Sequence, residues 1–164
     1  MGLRNGDDYY DSTTFASVRE ILDQWPLTLE KLSTAAERMS ARTPLTGVKL
    51  LAPLVDPRNI YITGANYTDH IEEMARAFDL NLIKDAKAEG HPPWFLPKAT
   101  SSVVGPGAQV TIPAGVECLD WEIELAVIIG REGKDIPVDR ALDYVAGYTV
   151  ANDLSARDRM ARCD

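Results

Sequence analysis

Three acidic residues, Asp120, Glu122 and Glu124, alternate with apolar residues in one stretch of the chain. Side chains alternate between the two faces of a strand, so these carboxylates share one face if Cys118–Ile129 is a strand. Residues two apart on a strand lie roughly 6.5–7 Å apart at the backbone, and Glu122 and Glu124 can converge on one ion from that spacing. A hard dication such as Mg²⁺, Mn²⁺ or Ca²⁺ prefers oxygen ligands and neutralises the repulsion between carboxylates. This row is therefore a candidate metal site.

The same carboxylates also fit the wet face of a half-exposed strand, since charged side chains mostly lie in water. Asp153 is a candidate third ligand because it stands at the end of a predicted strand, where functional side chains often project. It also precedes a predicted helix, and Asp is a good helix N-cap. Spacing alone leaves both interpretations of Asp153 open.

A second candidate for chemistry is the pair His70 and Glu73, which stand three residues apart on a predicted helix. A carboxylate beside an imidazole fixes the orientation of the ring and stabilises its protonated form, which suits a general base. Such a pair is also common as a solvated contact on a protein surface, where it contributes little. The other histidine, His91, precedes two prolines and is expected to lie in a loop.

Hydrophobic periodicity predicts the elements that position these residues. Helical spacing of apolar residues, ended by proline or polar segments, predicts helices at Phe15–Trp25, Leu29–Met39, Asn66–Phe78, Asn81–Glu89, Val138–Asp143 and Leu154–Arg162. Short apolar or alternating runs predict strands at Val48–Leu51, Ile60–Thr63, Trp94–Leu96, Gln109–Ile112, Cys118–Ile129 and Tyr144–Asn152.

Composition narrows the class of protein. The chain has 164 residues, enough for one domain with a core, and 45% of them are hydrophobic, as in ordinary globular proteins. A formal net charge of −8 argues against a nucleic-acid partner, because phosphate binding needs clustered Lys and Arg. Cys118 and Cys163 have no CxxC spacing, which argues against a zinc site. No apolar run is long enough to be a signal core or a membrane span, so we expect no membrane partner and a cytoplasmic location.

Three segments together resemble the fumarylacetoacetate hydrolase family. Residues 64–70, GANYTDH, resemble its G-x-N-Y-x-D-H segment. Residues 120–130, DWEIELAVIIG, resemble its D-x-E-x-E-L-A-V-V-I-G strand, and residues 143–158, DYVAGYTVANDLSARD, resemble its D-Y-V-x-G-Y-x-x-x-N-D-x-S-A-R-D block. The similarity extends from about residue 59 to 158, and the three motifs occur in the family's order.

The resemblance implies an α+β fold, with N-terminal helices followed by an incomplete mixed β-roll of this family with short helices. It implies a helical extension over residues 1–55 and the N-terminal part of a catalytic domain over residues 56–164. In such enzymes the matching glutamates and aspartate bind Mg²⁺ or Mn²⁺, which assigns the metal to Glu122, Glu124 and Asp153. The histidine and glutamate that match His70 and Glu73 act as a catalytic base dyad in smaller members.

Further roles also follow from the resemblance alone. The S-A-R-D arginine, here Arg157, lines the substrate pocket in relatives, and Asp120 and Asp158 match residues that support the metal ligands. The implied activity is hydrolysis of a C–C bond in an acylpyruvate-like 2,4-dioxo acid through a metal-bound enolate. The alternatives are isomerisation of a 2-hydroxymuconate-type diacid in aromatic catabolism, decarboxylation, and a catalytically inactive fragment or binding module. Relatives are commonly homodimers that take small oxo acids.

The chain departs from the family pattern near its end, at Met160, and in a segment between Glu73 and Trp94 that is longer than in the smallest members. It stops soon after S-A-R-D, before the G-K-x-x-D segment whose lysine lies in the active site of relatives. We therefore expect an incomplete roll with unpaired strand edges and exposed apolar faces, and a fragment that is poorly stable or inactive alone. Met160 also stands where several relatives have a glutamine near the substrate.

Overall fold

The computed structural model describes residues 1–11, 14–38, 43–79 and 85–160. The chain divides into two compact units. The first contains Met1–Leu54 and Gly105–Asp164, and the second contains Val55–Val104. In the described part of the chain, no helix has the length and apolar character needed to cross a membrane. The proposed division of the sequence at residue 55 stays a prediction.

The first unit opens with a small antiparallel sheet that the hydrophobic pattern did not indicate. Strands β1 (Gly2–Asn5) and β2 (Asp8–Asp11) form a hairpin, and β3 (Thr43–Pro44) pairs with β2. Gly6 makes the turn with a φ of 63°, a left-handed conformation that glycine adopts without steric cost.

Two helices follow, as predicted, at α1 (Val18–Asp23) and α2 (Thr28–Glu37). Residue 39, the predicted end of the second helix, lies outside the described residues. The Oγ of Ser17 accepts the backbone N–H of Glu20 at 3.1 Å and begins α1. Thr28 is almost fully buried, and its hydroxyl donates to the carbonyl of Ile21 at 3.0 Å. This contact joins the start of α2 to the end of α1.

The second unit places the predicted histidine helix after a short strand. Strand β4 (Ile60–Thr63) has the predicted bounds, α3 (Thr68–Phe78) follows it, and β5 (Phe95–Lys98) pairs antiparallel with β4. Ile71 of α3 is buried. Of the predicted polar helix, residues 81–84 lie outside the described residues and the remainder forms turns.

The rest of the first unit contains two antiparallel pairs. Strand β6 (Leu119–Asp120) pairs with β9 (Ser155–Ala156), and β7 (Ile123–Ile129) pairs with β8 (Val145–Asn152). A 3₁₀ segment at Val138–Tyr144 leads into β8, and α4 (Arg157–Met160) follows β9. The α+β class is confirmed, with few helices and small sheets.

Several predicted elements are wrong in detail. Cys118–Ile129 is not one strand, because the ladder is interrupted between β6 and β7 and each piece has a different partner. Leu154–Arg162 is not a continuous helix, since β9 occupies its start, and residues 161 and 162 lie outside the described residues. Val48–Leu51 and Gln109–Ile112 have the composition of strands but form no ladder. A strand needs a neighbouring backbone to pair with, and composition does not report one.

The predicted alternation of side chains persists through the interruption. Asp120, Glu122 and Glu124 are half-buried. The intervening apolar residues are exposed by 46–66% of their surface; they are Trp121, Ile123, Leu125, Val127 and Ile129. The carboxylates therefore occupy the less exposed face of this stretch, and whether that face binds a metal stays a prediction.

Candidate metal centre and general base

Glu122 lies at the interruption between β6 and β7, where its backbone is held from both sides. Its N–H donates to the side-chain oxygen of Asn152 at 3.1 Å, and its carbonyl accepts the N–H of Asp153 at 2.8 Å. Because β8 ends at Asn152, the backbone bond from Asp153 extends the pairing by one position beyond the last strand pair, and the Asn152 side chain supplies the second bond. The structure therefore joins the backbones of Glu122 and Asp153, which the sequence connected only through the family resemblance.

Glu124 lies on β7 opposite Ala151, and both Glu124 and Asp153 are half-buried. The hydroxyl of Ser155 donates to the carbonyl of Asp153 at 3.3 Å and supports the bend that leads from β8 to β9. The three proposed ligands thus stand on adjoining positions of one antiparallel pair. This placement is favourable for a shared ligand, because the strands fix the three Cα positions.

The carboxylates do not converge on one point. No group of three or more His, Cys, Asp or Glu side chains arranged to hold a metal ion occurs among the residues that the structure describes. The donor types suit Mg²⁺ or Mn²⁺, which prefer carboxylate oxygens, but the side-chain positions do not form a cage. The types of donor atom therefore suit a hard dication, but the side chains would have to move before all three could bind one ion.

Arg157, predicted to line the substrate pocket, contacts the acidic row, and its substrate role stays a prediction. Its Nε donates to Asp120 Oδ2 at 2.9 Å, and its Nη2 lies 2.8 Å from Glu122 Oε1. Its backbone N–H donates to the carbonyl of Cys118 at 2.8 Å, which fixes the start of α4 beside β6. One guanidinium therefore bridges two carboxylates of the row.

Asp158, predicted to support the site, holds the chain that enters β6. Its carboxylate accepts the backbone N–H groups of Glu117 at 3.2 Å and Cys118 at 3.3 Å. The bond from Glu117 lowers the pKa of Asp158 most, and the desolvation of the carboxylate opposes it. The bond from Cys118 and the charge of Arg159 lower the pKa further, so the net shift is downward. A supporting role for Asp158 is therefore a structural one, through the backbone.

His70 and Glu73 lie in the first two turns of α3, in the second unit. His70 is half-buried and Glu73 is exposed. The backbone N–H of His70 donates to the carboxylate of Asp69 at 2.9 Å. Among the contacts of the described residues, no hydrogen bond or ion pair joins His70 to Glu73. The two side chains therefore stand one helical turn apart on α3, but they are not in the direct contact that a catalytic dyad requires.

Sequence reasoning gave no role to Asn152, which the structure places beside Glu122. The sequence feature that could have indicated this role is the position of Asn152, an amide directly before Asp153 at the end of a predicted strand. Its oxygen takes the backbone N–H that the interrupted ladder would otherwise leave unpaired. Asn152 therefore fixes the position from which the Glu122 side chain starts.

Comparison with known proteins identifies what the chain resembles. The family model described as fumarylacetoacetate (FAA) hydrolase C-terminal matches residues 59–164. The mitochondrial oxaloacetate tautomerase fahd2 of Xenopus laevis is 36% identical over 149 residues, covering 91% of this chain and 43% of the relative. The human mitochondrial oxaloacetate tautomerase FAHD2B is 35% identical over 169 residues, covering 99% of this chain and 50% of the relative. The chain spans about half the length of these curated relatives.

Solved structures agree with that result. A putative HpcE protein from Mycobacterium smegmatis has a TM-score of 0.72 at 30% identity, covering 99% of this chain and 55% of its own. The 5-carboxymethyl-2-hydroxymuconate delta-isomerase from the same organism has a TM-score of 0.57 at 34% identity, covering 74% of this chain and 43% of its own. The similarity therefore extends from sequence to three-dimensional structure.

Proposed function

Because this chain belongs to the fumarylacetoacetate hydrolase family, we propose that the whole protein is an enzyme that interconverts the enol and keto forms of a small 2-oxo diacid. Oxaloacetate is the first candidate substrate. The observation that carries the proposal is the 35% identity to a relative named oxaloacetate tautomerase over 99% of this chain. Hydrolysis of an acylpyruvate-like acid, the activity expected first from the sequence, becomes the second candidate.

His70 is the proposed general base. Tautomerisation moves one proton between an oxygen and the neighbouring carbon and needs no other reactant, so one acid–base group in reach of both atoms is sufficient. Glu73 lies one helical turn from His70. In this proposal it turns towards the imidazole, orients the ring and stabilises its protonated form.

Glu122, Glu124 and Asp153 are the proposed ligands of Mg²⁺ or Mn²⁺, with Ca²⁺ as an alternative. Members of this family commonly use divalent metals. A dication at this position supplies Lewis-acid stabilisation of negative charge on a substrate oxygen. The chain's own contribution is to hold the three carboxylates, and Arg157 is proposed to bind a carboxylate of the substrate.

Two other activities have specific support. C–C hydrolysis is supported by the family itself, and isomerisation of a hydroxymuconate-type diacid is supported by the likeness to the Mycobacterium smegmatis isomerase. All three activities pass through an enol or enolate, so the same base serves each of them. A binding module without catalytic activity would bind such acids and convert none of them.

The test is an assay of the full-length protein with Mg²⁺ or Mn²⁺ on three substrates, namely enol oxaloacetate, an acylpyruvate and 5-carboxymethyl-2-hydroxymuconate. The loss of enol absorbance follows the first, and product chromatography follows the others. We expect the highest kcat/KM on oxaloacetate. Turnover of the acylpyruvate alone would show that the activity is hydrolysis and not tautomerisation. Binding of these acids without turnover of any of them would contradict an enzymatic function.

The assembly and the compartment are also proposals. We propose that the full-length protein is a homodimer that binds a small oxo acid and neither nucleic acid nor membrane, and light scattering tests its mass. The cytoplasmic location stays a prediction. The two vertebrate relatives are named mitochondrial, so fractionation of cells that express the full-length protein decides between the two compartments.

A further inference from the structure

One guanidinium holds the carboxylate that the proposed metal needs. Arg157 Nη2 lies 2.8 Å from Glu122 Oε1, a distance typical of strong charge-assisted hydrogen bonds. The side chains of Arg157 and Glu122 are only 35% and 23% exposed, so this pair is less screened by solvent than an ordinary surface pair. The contact is therefore strong enough to influence what else Glu122 can bind.

The position of Arg157 is imposed by the backbone around it. Asp120 pairs with Ser155 in the β6–β9 ladder, and the N–H of Arg157 donates to the carbonyl of Cys118 at 2.8 Å. Its Nε then donates to Asp120 Oδ2 at 2.9 Å, which anchors the near side of the guanidinium. The far side, Nη2, is thereby directed at Glu122 rather than at solvent.

A guanidinium and a dication at the same carboxylate repel each other. We propose that Arg157 and the divalent cation are alternative counterions of Glu122, so that Arg157 is a positioning residue that holds this ligand until the cation takes it. This inference rests on the proposed metal role of Glu122. When the cation binds, Nη2 loses its partner while Nε keeps Asp120, and Nη2 becomes a donor for a substrate carboxylate. Metal binding therefore precedes substrate binding.

The test is the affinity of the full-length protein for Mn²⁺ alone, measured by calorimetry and by the electron paramagnetic resonance signal of free Mn²⁺. Competition predicts that Arg157→Gln raises this affinity about tenfold, or about 1.4 kcal/mol. Structural damage would lower the affinity, so a rise separates competition from a merely structural role. The matched control is Arg159→Gln, which removes the same charge from α4 but contacts Asp158, at 3.5 Å, instead of Glu122.

A change of less than about threefold is expected for Arg159→Gln. An equal rise in both variants, or an unchanged or lower affinity in Arg157→Gln, overturns the inference. If Arg157→Gln does not fold, Arg157→Lys carries the test, because the compact ammonium group cannot bridge Asp120 and Glu122 as the planar fork does. A rise of about threefold is then expected, and no rise overturns the inference.

Glu122→Gln separates failure of this inference from failure of the metal assignment. If Glu122→Gln loses Mn²⁺ affinity and Arg157→Gln shows no gain, the competition is wrong and the metal assignment stands. If Glu122→Gln keeps the affinity of the wild type, both are wrong. A loss of Mn²⁺ affinity in Glu122→Gln together with a gain in Arg157→Gln supports both the metal assignment and the competition.

Discussion

Replacing Gly130 by alanine tests the packing at the end of β7, the strand that carries Glu124. A Cβ added at Gly130 would lie 2.8 Å from Cγ of the Trp25 ring and 2.8 Å from Cβ of Ala146. Ordinary carbon contacts are about 3.5–4.0 Å long, so the neighbours must move. Overpacking costs about 1–3 kcal/mol. The smaller freedom of alanine in the unfolded chain offsets about 0.4–1 kcal/mol of this cost. We therefore expect Gly130→Ala to lower the free energy of unfolding by about 1–2 kcal/mol.

Gly147 on β8 provides the matched control, since a Cβ there would meet no atom within 4 Å. Gly147→Ala should be neutral or stabilise the protein by up to about 1 kcal/mol. The assay is urea unfolding of both variants in the full-length protein. With a slope of about 2 kcal/mol per molar urea, the midpoint of Gly130→Ala should fall by about 0.5–1 M. Equal midpoints for the two variants would refute the contact between Trp25 and Gly130.

Three further predictions concern a buried hydroxyl, a carboxylate and the proposed base. Thr28→Val keeps the shape of the side chain but leaves a carbonyl at the end of α1 without its donor, so it should cost about 1–3 kcal/mol of unfolding free energy in urea; no loss would contradict the buried bond. The pKa of Asp158 is lowered in the folded protein from its ordinary value, 3.8. The ionised carboxylate therefore stabilises the fold at pH values above 3.8, and this stabilisation is lost as the pH falls through the pKa of the folded protein. Asp158→Asn should therefore be less stable than the wild type at pH 7 in urea, and the difference should shrink on acidification towards pH 3; a constant difference would contradict this. His70→Asn should lower kcat by about 10²–10⁴, while His91→Asn, whose ring lies 3.9 Å from a Glu89 oxygen in a turn, should leave it unchanged; equal effects would argue against His70 as the base.

Parts of the fold with strong local signals could be predicted from the sequence. The helix that carries His70 and the strand before it were predicted because the spacing of their apolar residues agrees with the structures they form. The hairpin at residues 2–11 was missed, although Gly6-Asp7, the two residues between the paired Asn5 and Asp8, are typical of a tight hairpin turn. Its strands are short and polar, so hydrophobic alternation did not reveal them.

The interruption within Cys118–Ile129 could not be predicted, because alternation of side chains continues through it. The strand is divided because β6 pairs with β9 and β7 pairs with β8, and both partners lie further along the chain. The same long-range pairing brings Asp153 to Glu122 and Arg157 to Asp120. Spacing in the sequence predicts which residues share a face of one strand, but it does not predict which carboxylate a distant arginine will contact.

Mn²⁺ binding to the full-length protein tests most directly whether Glu122, Glu124 and Asp153 hold a divalent cation. Calorimetry should show one site in the wild type and at least about a tenfold loss of affinity in each of Glu122→Gln, Glu124→Gln and Asp153→Asn. Glu132→Gln, an exposed acid in the turn after β7, should change the affinity less than twofold. Unchanged affinity in the three ligand variants would contradict the account.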